Sequence, residues 1–202
     1  MTHEELKNYI INAALVGNTV NPAEFYAEHD IPSTTSTIIR SYYDRVLTDS
    51  ICIDGIYVRL NSTGETELVY YAGEYSELDL GDTIDVIRPY AFYLNNTIRS
   101  IFGCRINKID KGAFMHSSLV EADFSCKKSA WHSENGVIVK EKAFYNCSNL
   151  KKVRISNCIH IETLAFAYCY FLHGLYIPND TYIDKKAFLD CWHINDKFKK
   201  YG

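Results

Sequence analysis

From residue 87 onward the apolar positions keep step with a recurring Ala-Phe pair: Ala91-Phe92, Ala113-Phe114, Ala143-Phe144, Ala165-Phe166 and Ala187-Phe188, at intervals of 22, 30, 22 and 22 residues. A branched aliphatic stands four positions before each alanine (Ile87, Ile109, Val139, Ile161, Ile183). An aliphatic follows about seven after it (Ile98, Leu119, Leu150, Leu172, Ile194). A period near 22 predicts the coils of a solenoid, each too small to bury its own apolar side and stable only when stacked on its neighbours. Function in such a molecule lies on a surface, and the five Phe rings are assigned to the interior.

The end of each unit alternates. In Val153-Arg154-Ile155 and Leu175-Tyr176-Ile177 the outer residues are expected to face inward and the middle one outward, the period of a short strand. Stacking predicts a narrow parallel sheet, with the Ala-Phe segments on the opposite wall. The outward positions of this ladder, Phe102, Asp123, Arg154 and Tyr176, are the first candidates for contact with a partner. The 30-residue interval holds an insertion around residues 127–134, and its Trp131 is a further candidate on a projecting loop.

Superposed, the units read Ile-x-x-x-Ala-Phe-x-x-Cys-x-x-Leu-x-x-Val-x-Ile. This pattern resembles the leucine-rich repeats of the BspA-like, Treponema-type family, from about Leu68 to the C-terminus. The departures are Asn95 and Ser117 at the Cys position, and the insertion. The resemblance implies an interaction module. BspA-like proteins are often cell-surface adhesins, but the opening Met-Thr-His-Glu-Glu has no basic stretch and apolar core of a secretory signal, so an intracellular protein is expected. No apolar run has the length of a membrane span.

Before the repeats the periodicity is helical. Thr2 and Glu5 predict a capping box, Leu6, Ile10, Ala14 and Leu15 an apolar face, and Gly17 the stop. Asn21-Pro22 opens a second helix carrying Phe25 and Tyr26. A third buries Ile38, Ile39, Tyr42, Tyr43, Val46 and Leu47. Asp54-Gly55 predicts a tight hairpin between Ile51-Cys52-Ile53 and residues 56–60. Three helices and a hairpin follow the order of a winged helix, and Phe25 to Ile39 resembles a helix-turn-helix. The fold class is therefore α+β: a helical, winged-helix-like unit over residues 1–60 and about five coils of solenoid over residues 61–202.

Charge changes the picture. Residues 1–85 hold four basic and fifteen acidic side chains, a net of −11, leaving +7 for the remainder. Duplex binding needs Lys and Arg, so direct DNA binding through Arg40 and the Ser33 to Thr37 run is the weaker alternative. Glu74, Glu77 and Asp79 are instead candidates for an acidic surface that competes for basic grooves. That alternative is an anti-CRISPR-like, phage or mobile-element inhibitor of a nucleic-acid-binding complex, acting as a nucleic-acid mimic.

The seven cysteines are odd in number and follow the repeat: Cys147, Cys169 and Cys191 hold one position of successive coils. Whole-coil spacing with no Cys-x-x-Cys pair gives no metal site, and buried, reduced thiols are expected. No phosphate loop, Gly-x-Ser-x-Gly or His-Glu-x-x-His is present. The sequence thus predicts a non-enzymatic module without cofactor, whose partner is a protein or nucleoprotein.

Overall fold

The computed structural model describes residues 1–29, 37–125 and 136–202, without the side chains of Thr37, Ile38, Arg40 and Ser41. It is a β-solenoid of about five turns. Each coil gives one short strand to each of two sheets, where the sequence predicted one. The eight-stranded sheet runs β1 (Ile51–Ile53), β2 (Ile56–Leu60), β3 (Thr66–Tyr71), β5 (Val86–Ile87), β7 (Lys108–Ile109), β9 (Val137–Val139), β11 (Cys158–Ile161), β13 (Tyr182–Ile183). The five-stranded sheet contains β4 (Glu77–Asp79), β6 (Ser100–Phe102), β8 (Glu121–Asp123), β10 (Lys152–Arg154) and β12 (Gly174–Tyr176), in chain order and all parallel.

The strands predicted from Val153 and Leu175 are thus β10 and β12. The additional sheet is made by the aliphatics that precede each alanine. Leu68, Ile87, Ile109, Val139, Ile161 and Ile183 lie in one register row of the eight-stranded sheet, and the first five are fully buried.

The Ala-Phe segments form the third wall, also hydrogen-bonded from coil to coil. Phe92, Phe114, Phe144 and Phe166 each donate their amide to the alanine carbonyl of the next coil, at 2.7–2.9 Å. Their rings and that of Phe188 stack at 4.7–5.4 Å within 17° of parallel, and all five are buried. Every coil turns at two left-handed residues, one before the alanine (Tyr90, Gly112, Lys142, Leu164, Lys186) and one three after it (Leu94, His116, Asn146, Tyr168, Asp190). Only Gly112 is free of the Cβ clash that disfavours this region for L-residues, so stacking must offset local strain.

Both ends of the ring column are covered. At the C-terminal end a 3₁₀ helix, Asp196–Tyr201, sets buried Phe198 against Phe188 at 5.6 Å. Its Tyr201 carbonyl accepts from Phe188 N at 3.1 Å, replacing the alanine of a further coil.

At the N-terminal end helix α1 (His3–Leu15) begins with the predicted capping box: Thr2 N donates to Glu5 Oε2 at 2.7 Å, and Glu5 N to Thr2 Oγ1 at 3.3 Å. Its buried face is Leu6, Ile10 and Ala13, part of the solenoid core. Ala14 and Leu15, predicted on that face, are exposed, Leu15 at 79 %. The spacing i, i+4, i+7 holds one stripe of a 3.6-residue helix, and Leu15 falls beyond it.

Helices α2 (Pro22–Glu28) and α3 (Thr37–Leu47) build a second core, in which Phe25, Ile39, Tyr43, Val46 and Leu47 pack with Tyr57 and Val69 of β2 and β3. The Asp54-Gly55 hairpin is present, with φ of 49° and 77°. A Cβ on Gly55 would lie 2.6 Å from Gly73 Cα, so both the turn and the close approach require glycine. A separate winged-helix domain is not supported. The strand that would be its wing, β2, pairs antiparallel with β3 from Leu60↔Thr66 to Ile56↔Tyr71, and β3 pairs parallel with β5. The sheet therefore runs unbroken across residue 60.

Candidate functional surface

The central residue of each strand in the five-stranded sheet points inward: Leu78, Ile101, Ala122, Val153 and Leu175 are all buried. Alternation then turns both flanking residues outward. Register aligns them into two rows, Glu77–Ser100–Glu121–Lys152–Gly174 and Asp79–Phe102–Asp123–Arg154–Tyr176.

The second row brings together the four ladder residues predicted from sequence, and Asp79 joins them. Phe102 is 36 % and Tyr176 56 % exposed. Arg154 is the centre of the row's electrostatics. Its Nη1 lies 3.1 Å from Glu121 Oε1 and 3.4 Å from Asp123 Oδ2, and its guanidinium carbon is 5.1 Å from the Tyr176 ring centroid. Lys152 Nζ reaches the same Glu121 oxygen at 3.1 Å. Half-exposed pairs of this kind stabilise by about 0–1 kcal/mol, and here they place the guanidinium beside an aromatic ring.

Toward the other edge the face is acidic. Glu77 and Asp79 are exposed and make no ion pair among the described residues; Asp79 Oδ1 accepts from Gly81 N at 2.8 Å. Glu74 stands exposed in the connection between β3 and β4, beside Tyr75. Trp131 and the insertion around it lie outside the described residues.

The acidic charge of residues 61–85 is divided in a way sequence did not reveal. Glu67 is buried between Arg59 Nε at 2.7 Å and Arg88 Nη1 at 3.3 Å. Asp85 is buried against His3 Nε2 at 2.9 Å, Arg105 Nε at 2.8 Å and Thr66 N at 2.8 Å. Glu65 accepts from Asn61 and Asn107, both at 2.9 Å. Glu67 and Asp85 are thus neutralised internally by arginine, whereas Glu65, held by neutral amides, keeps its charge and adds to the field of the acids left outside.

A further surface feature was missed. Tyr93, His116, Tyr145 and Tyr168 form an edge-to-face row along the Ala-Phe wall, with centroids 5.2–6.1 Å apart. The signal was Tyr immediately after Ala-Phe at Tyr93 and Tyr145; His116 and Tyr168 enter one position later.

The thiol ladder is buried. Cys147, Cys169 and Cys191 donate to the carbonyls of Phe114, Phe144 and Phe166 at 2.9, 3.0 and 2.8 Å. Burial raises the Cys169 thiol well above its ordinary pKa and pushes Cys158 up to about 12. A nucleophilic cysteine needs the opposite setting. No cluster of three His, Cys, Asp or Glu fit to hold a metal occurs among the described residues. Among the same residues no helix is long and apolar enough to cross a membrane.

The model of the BspA type leucine-rich repeat region matches in six copies, over residues 28–134 and 128–197. The chain belongs to the BspA-type leucine-rich repeat family. No curated protein matches its sequence. Among solved structures, a leucine-rich cell surface protein from Faecalibacterium prausnitzii is 16 % identical at a TM-score of 0.45, over 72 % of this chain and 53 % of that one. This chain thus spans about half the length of that neighbour. A leucine-rich repeat protein from Bacteroides capillosus is 18 % identical at a TM-score of 0.38, over 75 % and 91 % of the two chains. The leucine-rich repeat protein of T. pallidum is 16 % identical at 0.35, over 73 % and 92 %. Leucine-rich repeat proteins generally act in protein–protein interaction.

Proposed function

We propose that this leucine-rich repeat chain is a non-enzymatic protein-binding module whose partner docks on the outward face of the five-stranded sheet. The observation that carries the reading is the single register row of Asp79, Phe102, Asp123, Arg154 and Tyr176. It offers an exposed Phe and an Arg–Tyr pair, residue types that dominate interface energetics, beside acids that fix orientation. The test is affinity capture from host lysate, then measurement of the captured partner against Phe102→Ala/Arg154→Ala/Tyr176→Ala. A loss of about 30-fold or more is expected, equivalent to about 2 kcal/mol. Unchanged affinity would move the site off this sheet.

A narrower reading is that the partner is inhibited through its nucleic-acid groove. Glu77 and Asp79, exposed and without an ion pair among the described residues, support it together with Glu74, since such an edge favours basic surfaces. Association then slows steeply with salt, competes with the partner's nucleic acid, and is lost on charge reversal at the three positions. A helix-turn-helix DNA regulator has no such observation in its favour: residues 33–36 and the Arg40 side chain lie outside the described residues. An intracellular setting belongs to the proposal as well, supported by three ladder cysteines that act as thiol donors.

A further inference from the structure

The aromatic row on the Ala-Phe wall does not stop at Tyr168. Tyr170 lies 6.3 Å from Tyr168, and Trp192 lies 4.7 Å from Tyr170 with its ring tilted by 39°. Beside this pair the rings of Phe171 and His193 are 5.9 Å apart and 8° from parallel. Trp192 is 69 % and Phe171 52 % exposed, so both present ring surface to solvent. The register of the coils brings the rings together: Tyr170 and Trp192 each stand five positions after the alanine, Phe171 and His193 six. Tyr168 N donates to Leu189 O at 2.8 Å and fixes that register in the backbone. None of the four side chains belongs to the buried core, so packing of the fold does not account for two adjacent ring pairs.

This wall is also nearly free of charge. Over positions two to six after each alanine (residues 93–97, 115–119, 145–149, 167–171 and 189–193) a single Asp, Glu, Lys or Arg occurs, Asp190. The outward faces of both sheets, by contrast, carry ion pairs such as Arg154–Glu121 and Lys140–Glu162. What the wall offers instead is Tyr, Ser, Asn and His, types that both donate and accept hydrogen bonds. In the coil next to the ring pairs, Ser148 and Asn149 hold the same two positions, and their side chains make no hydrogen bond among the described residues.

These features select a class of ligand. A charged partner finds no counter-ions in this strip beyond Asp190. The negative face of an aromatic ring attracts the positive ends of C–H bonds, and a pyranose with equatorial hydroxyls turns axial C–H bonds to both of its faces. Its rim of hydroxyls donates and accepts, as Ser148 and Asn149 do. We propose that this part of the wall is a binding site for a neutral, extended oligosaccharide of such sugars, a β-1,4-linked glucan. Its rings stack on Trp192 and Phe171, and its hydroxyls bond Ser148 and Asn149. An extended chain suits the row, which runs on across the coils through Tyr168 and Tyr145.

The test is titration calorimetry of the full chain with cellohexaose, and with the same hexamer oxidised at C6 so that every ring carries a carboxylate. The expected result is saturable binding of cellohexaose with a Kd of about 1 mM or tighter, and binding of the charged hexamer about tenfold weaker or less. Trp192→Ala and Phe171→Ala, at rings outside the core, are each expected to weaken cellohexaose binding about tenfold, and Trp192→Phe to restore part of that loss. Circular dichroism identifies any variant that fails to fold, and the others then decide. No binding of cellohexaose up to about 10 mM, equal binding of the two hexamers, or affinity unchanged in the folded alanine variants would each overturn the assignment. So would loss of a captured protein partner on Trp192→Ala with no effect on the sugar, which would make this wall a protein contact.

Discussion

The rings of Tyr71 and Phe92 stand 5.3 Å apart, and Tyr71 N donates to Ala91 O at 3.0 Å as each column Phe donates to the alanine of the next coil. A tyrosine from the last antiparallel strand thus takes the place of a Phe and begins the interior column. Its hydroxyl finds a partner at the end of the stack, the carbonyl of Tyr75 at 2.9 Å. The N-terminal hairpin is joined to the repeats by side-chain packing as well as by the sheet.

The column sets the scale of stability. Phe144→Ala, in the middle of the stack, is expected to cost about 3–5 kcal/mol through lost burial and the cavity left behind. Tyr71→Phe keeps the ring and loses one hydrogen bond, about 0.5–1.5 kcal/mol. Urea unfolding followed by far-UV circular dichroism separates the two.

Acid should attack the contacts of Asp85. Burial alone would raise its pKa, but the Thr66 amide, His3 and Arg105 outweigh it and hold the carboxyl below its ordinary value. A folded pKa below the unfolded one, about 3.9, means stability that is present above that pH and lost as pH falls through the folded value. Asp85→Asn is therefore expected to lower the melting temperature at pH 7 and to flatten its decline below about pH 4. Equal slopes in the two proteins would show that other carboxylates control the acid limb.

Thiol reactivity should follow burial. With iodoacetamide at neutral pH, Cys52 is expected to react in the native protein, while Cys147, Cys169 and Cys191 react only in denaturant. Peptide mass spectrometry assigns the sites, and native labelling of Cys169 would mean that the coils around it open.

Phe198→Ala should loosen one end without melting the whole. Phe198 covers Phe188, and the neighbouring Tyr201 carbonyl holds the Phe188 amide. Hydrogen exchange is expected to accelerate at the amides of Phe188 and Cys191 while those of Phe114 and Phe144 keep their protection, because a solenoid frays from its ends. Uniform acceleration along the chain would show a single cooperative unit instead.

The coil period, the Phe column and the outward row at Phe102, Asp123, Arg154 and Tyr176 were legible because each follows from spacing along the chain. The eight-stranded sheet was not, since two-residue strands such as Val86–Ile87 are too short to show alternation. Nor was the difference between exposed Glu77 and buried Glu67. Composition counts both alike, and what separates them is the register that brings Arg59 and Arg88, eight and twenty-one residues away, against one of them. Among the candidates, Asp79 came from the charge pattern and Phe102 from the strand pattern, and only β4 pairing with β6 shows them to be neighbours.

The unequal closure of the two ends has a mechanical consequence. One end is locked by α1 and by strands that run antiparallel into the stack; the other is shut by a six-residue 3₁₀ helix. Pulled between residues 1 and 202, the chain should yield from the 3₁₀ helix inward, paying out its 22-residue coils one at a time before it reaches the 30-residue one. Each would lengthen the tether by roughly 70–80 Å. The solenoid would then behave as a ratcheted spool under load, feeding from the side of the 3₁₀ helix with its anchor at the hairpin.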